Sequence, residues 1–135
     1  MRKVGNVVLG LVVALALVGV TSSTARAQGM EKKGKEVSLT GAQVIDLHCY
    51  TAGGLKGDAH KECAVACAKV GVPLGLLSQD GKIYVPVASG PMNNQAKLTE
   101  KLQPYAEGLV NVKGTLFERN GLLGIEIESV EPVKS

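Results

Sequence analysis

At 135 residues, with 45% hydrophobic, 20% charged and 3% aromatic residues, three cysteines and no tryptophan, the chain has the size of one domain and the composition of a folded one. Its fifteen Lys and Arg against twelve Asp and Glu give a net charge of +3, but three of the cations, Arg2, Lys3 and Arg26, precede residue 28, so the remainder is formally neutral. That balance, with Tyr50, Tyr84, Tyr105 and Phe117 as the whole aromatic stock, lacks the basic groove and stacking platforms of a single-strand binder and argues against nucleic acid as a partner.

The N-terminus carries Arg2 and Lys3, an apolar run from Val7 to Val20, and then Ala25, Arg26 and Ala27. This is the layout of a secretory signal peptide with an A-x-A cleavage site, so residues 1–27 are expected to be removed and the protein to be periplasmic or secreted. The run falls short of the about 20 apolar residues of a spanning helix, so no membrane association is expected after cleavage. No cysteine adjoins the cleavage region, which argues against a lipoprotein. Residues 28–36, rich in Gly, Lys and Glu, read as a flexible tether, 37–130 as the domain and 131–135 as a short tail.

From Val37, an alternation of Val37, Leu39, Ile45 and Leu47 against Ser38, Thr40, Asp46 and His48 predicts a half-buried strand bent at Gly41. Continued without a bulge, that strand places Cys49 among the core-facing residues and turns Asp46 and His48 away. Thr51 to Gly57, with Gly53, Gly54 and Gly57, reads as a loop, and Asp58 is positioned to cap a helix over Ala59 to Val70. The helical spacing of Ala59, Cys63, Ala66, Cys67 and Val70 predicts an inward stripe that carries both cysteines, with His60 on its edge, and Gly71 with Pro73 ends the helix.

Pro73 to Ser78 and Lys82 to Ala88 flank Gln79, Asp80 and Gly81 as a hairpin. A second helix is expected over Asn94 to Ala106, where Ala96, Leu98, Leu102 and Tyr105 recur at near-helical spacing. Leu109 to Glu118 and Leu122 to Val130 then pair around Asn120 and Gly121, the strongest turn in the chain. The order of three strands, a helix and two strands is that of an OB-like five-stranded Greek-key barrel, mainly β, with an inserted helix after strand 1 and a second helix between strands 3 and 4. A ferredoxin-like sandwich is the rival.

The chemistry concentrates in residues 46–71. His60, Cys63 and Cys67 stand at i, i+3 and i+7 along one side of the expected helix, and Cys49 on the preceding strand offers a fourth donor, with His48 or Asp46 as substitutes. Imidazole nitrogen and thiolate sulfur are zinc and copper ligands, and a filled Cys3His set leaves no open position for substrate. The expected role is therefore non-enzymatic: a binding domain for zinc, copper or a small cofactor, with Cys49, His60, Cys63, Cys67 and His48 as candidate ligands.

The paired C-x2-C knuckles of zinc domains, the C-x-x-C-H of haem attachment and the C-x-x-C of thioredoxin-like enzymes are absent. So are a G-K-[ST] phosphate loop and a G-x-S-x-G nucleophile elbow. Two other readings stay open. In an oxidising compartment Cys49 pairs with Cys63 or Cys67 and leaves one spare thiol, giving a disulfide-stabilised module for a protein or small ligand. A thiol redox protein would instead require one cysteine with a lowered pKa.

The run Asp46, Cys49, His60, Cys63, Ala64, Cys67, Gly71, Pro73, Gly75, Leu76, Asp80, Gly81 and Tyr84 resembles a group of small exported bacterial proteins of unassigned function, which look like OB-type barrels with a D-x-x-C and H-x-x-C-A-x-x-C insert. The resemblance spans roughly residues 37–130. It implies the barrel and the insert, and no particular activity, substrate or metal.

Overall fold

The computed structural model describes residues 34–88 and 94–134, the side chains of 94–96 excepted. The expected signal peptide, the expected cleavage site and most of the expected tether lie outside the described residues. Among the described residues no helix is long and apolar enough to cross a membrane.

Five strands form a closed barrel: β1 (Lys35–Asp46), β2 (Leu74–Leu77), β3 (Ile83–Pro86), β4 (Leu109–Arg119) and β5 (Leu122–Pro132), in the order β1-β2-β3-β5-β4. All neighbours are antiparallel except β3 with β5. That is the OB-type arrangement expected from the element order. The chain between β1 and β2, a place where such barrels commonly meet ligands, carries α1 (Leu47–Gly53), a 3-10 turn (Asp58–His60) and α2 (Lys61–Lys69). Between β3 and β4 lie α3 (Asn94–Leu102) and a 3-10 turn over Gln103–Tyr105.

The barrel is filled by Leu39, Ala42, Val44, Leu76, Val110, Val112, Ile125 and Ile127, and Leu102 on α3 and Ala68 on α2 join this core. Asn120 and Gly121 both take positive φ and make the tight β4–β5 turn. The β2–β3 turn is held by Ser78, whose hydroxyl donates to the Asp80 carboxylate and accepts from the Lys82 N–H at 3.1 Å.

The departures from expectation begin at Gly41. With φ +62 it sits in the left-handed region open to glycine, and the register of β1 on β4 slips between Leu39 and Ala42. The bulge reverses the inside–outside alternation, so Ala42 and Val44 follow Leu39 inward, and Asp46 is fully buried rather than facing solvent. Ile45 is buried too, on a strand that packs against both α1 and α2.

β1 stops at Asp46 and the chain turns at once into α1, so the expected loop from Thr51 is helical as far as Gly53 and Cys49 is a helix residue. Asp58 opens the 3-10 turn and makes no side-chain cap; the aspartate that caps a helix is Asp46.

Candidate metal centre

The site is built by two short helices, each held against the barrel by a buried acidic residue. At the end of β1, the Asp46 Oδ1 accepts the Cys49 N–H at 2.9 Å, which satisfies a free first-turn amide of α1 and fixes Cys49 relative to the sheet. The Leu47 N–H donates to the Pro73 carbonyl at 3.1 Å, and the Leu47 side chain lies against the backbone of Gly75. Gly54 closes the far end by donating to the Tyr50 carbonyl at 2.8 Å.

The second helix is anchored through His60 and Glu107. His60 Nδ1 stands 3.0 Å from Glu107 Oε1, and Glu107 Oε2 accepts the Gly57 N–H at 2.7 Å. Both side chains are shielded from solvent. Ala64 and Ala68 follow His60 at four-residue steps on the buried face of α2. The inward stripe is thus one row away from the expected one: Cys63 is exposed, Cys67 half-buried and Val70 83% exposed.

With His60, Ala64 and Ala68 packed inward, Cys63 and Cys67 are left to meet α1. Their sulfurs and that of Cys49 all lie within 4.8 Å of one another, and all three cysteines are free thiols. Three cysteines this close could hold a metal ion. In a tetrahedral thiolate site with bonds near 2.3 Å the sulfurs are about 3.8 Å apart, so a contraction of an ångström or less brings these three to ligand distance.

The sequence-predicted donors separate here. Cys49, Cys63 and Cys67 converge; His60 and His48 are not among the converging atoms. His60 sits in the 3-10 turn before α2, on the inward row that the cysteines leave, and its Nδ1 is committed to Glu107. His48 is exposed on α1. Sequence reasoning did not single out Glu107, a buried carboxylate with φ +60, because nothing in its local pattern marks it. Asp46 did carry a readable signal, since an aspartate three residues before Cys49 has the spacing of an N-cap to the third helical amide.

Two of the thiols, Cys67 and Cys49, share one electrostatic condition. Cys67 is pushed up to about 12, first because the neighbouring Asp46 carboxylate favours the protonated S–H, a weak donor, and then by burial and by Cys63. Burial raises Cys49 as well, helped by the negative charge of Asp46. This is the opposite of the lowered thiol that makes a redox nucleophile. Concentrated negative charge is costly at this spot unless a cation joins it, and metal binding would then expel thiol protons.

A separate open cleft of about 610 Å³, lined by Lys69, Leu74, Val85, Leu98 and Gln103 among others, does not touch the cysteines. Comparison with protein-family models, with curated proteins and with solved structures gives no match.

Proposed function

We propose that this chain is an exported, non-enzymatic binding domain that holds zinc or copper through Cys49, Cys63 and Cys67. The observation that carries the reading is the meeting of three sulfurs from two separately anchored helices in one group within 4.8 Å. Cys63 and Cys67 are one helical turn apart, but Cys49 comes from the other side of a glycine-rich connection, and both helices have to be fixed on the barrel for it to arrive. Thiolate sulfur suits zinc and copper(I) and is a poor match for magnesium or calcium, which take oxygen ligands. The half-exposed position gives the ion a route in from solvent.

The expected result is one zinc or copper(I) ion per reduced chain, with all three thiols protected from alkylation when the ion is bound. Replacing Cys49, Cys63 or Cys67 singly with Ser lowers affinity by about tenfold or more, since each removes a direct ligand. An intact mass two hydrogens short, with one thiol titratable and no ion bound by the reduced protein, would instead favour the disulfide-stabilised module.

A further inference from the structure

Resting on the reading of the three cysteines as ligands, we infer that Asp46 is the fourth donor, which makes the site a Cys3Asp tetrahedron built for a borderline divalent cation such as zinc rather than for copper(I). Asp46 has no exposed surface. One of its oxygens, Oδ1, is spent on the Cys49 N–H, and the other, Oδ2, is buried without a well-formed hydrogen bond. A buried carboxylate oxygen left in that state is costly, and such atoms are normally paired. The Oδ1 bond to the Cys49 N–H sets the carboxylate at the foot of α1, and the Cys67 thiol lies beside it, so the carboxylate borders the sulfur cluster.

A cation among the sulfurs would satisfy it. The carboxylate is not within 4.8 Å of all three sulfurs, so it closes on the ion as the thiolates contract around it. Choice of metal follows from the donor types. Three thiolates alone satisfy copper(I), which gains little from a hard oxygen, whereas zinc takes four ligands and accepts carboxylate beside sulfur. Oδ1 can remain in the helix cap while Oδ2 binds, so metal binding would also lock α1 to the end of β1.

The test uses Asp46→Asn, which keeps a side-chain oxygen able to cap α1 and removes the anionic donor. Zinc and copper(I) affinities of the reduced protein are measured by competition with chelators, and cobalt(II) serves as the optical probe. The expected outcome is a loss of about 10- to 100-fold or more in zinc affinity, with copper(I) affinity unchanged within about threefold and the thiolate charge-transfer band of cobalt retained while its ligand-field bands shift. Asp46→Ser, a second capping residue, gives the same pattern if the Asn variant folds poorly.

Equal zinc affinity in parent and variant, or a parent that binds copper(I) and not zinc, overturns the assignment of Asp46 while leaving the three-cysteine reading intact. A parent that binds neither ion overturns both.

Discussion

Replacing Glu107 with Ala removes the buried acceptor that ties α2 to the barrel. Its carboxylate is completely shielded, accepts the Gly57 N–H at 2.7 Å, meets His60 Nδ1 at 3.0 Å and receives a longer contact of 3.4 Å from the Gln43 amide. Alanine leaves the buried His60 Nδ1 and the half-buried Gly57 N–H without this acceptor, each costing about 1–3 kcal/mol, so the pair together predicts about 3–5 kcal/mol. Alanine gains nothing back from the backbone, because φ +60 at this position disfavours any side chain with a Cβ.

For a domain of this size each kcal/mol lowers Tm by about 4–8 °C, so thermal unfolding of the metal-free protein should fall by about 12 °C or more. Glu107→Gln keeps the shape and one acceptor oxygen for Gly57, and should lose less than half as much. An alanine variant melting within about 4 °C of the parent, equivalent to less than 1 kcal/mol, would refute the claim that this contact anchors α2.

Two further outcomes follow from the contacts that place α1 and Cys67. A Cβ on Gly75 would lie 2.5 Å from Leu47 Cδ2 and 2.9 Å from its Cγ, so Gly75→Ala should cost about 1–3 kcal/mol in urea unfolding by displacing the start of α1, and Leu47→Ala in the same chain should recover part of the loss. Cys67, raised from 9.0 to about 12 in the fold, keeps its proton where the unfolded chain releases it. The resulting stabilisation is complete below about pH 9 and is lost as pH rises toward 12, so the metal-free protein should weaken across that window, and Asp46→Asn should flatten the slope and speed alkylation of Cys67 near pH 9.

The barrel could be read from the sequence because its signals are local and mutually consistent. Asn120 and Gly121 fix the β4–β5 hairpin by turn chemistry alone, and the order of strands and helices leaves few closed sheets to choose from. The cysteine window could be read only in part. Clustering of Cys49, Cys63 and Cys67 near one another in the chain pointed to the residues whose sulfurs converge, but their orientation depended on two events that pattern does not resolve.

One event is the bulge at Gly41, which flips strand parity and turns Asp46 from a surface residue into a buried one. The other is the contact between His60 and Glu107, across 47 residues, which selects His60, Ala64 and Ala68 as the inward face of α2. A nine-residue helix with apolar residues on more than one row has no single stripe, and a distant partner decides which row goes in. Periodicity therefore favoured the cysteines for the core, whereas tertiary contact placed them where they meet at the surface.

The most direct test of the account is titration of the reduced protein with zinc and with copper(I), following bound ion and free thiols together. The convergence of Cys49, Cys63 and Cys67 predicts saturation at one ion per chain with three thiols withdrawn from reaction. Three thiols that stay reactive at saturating metal, with no ion retained, would contradict it.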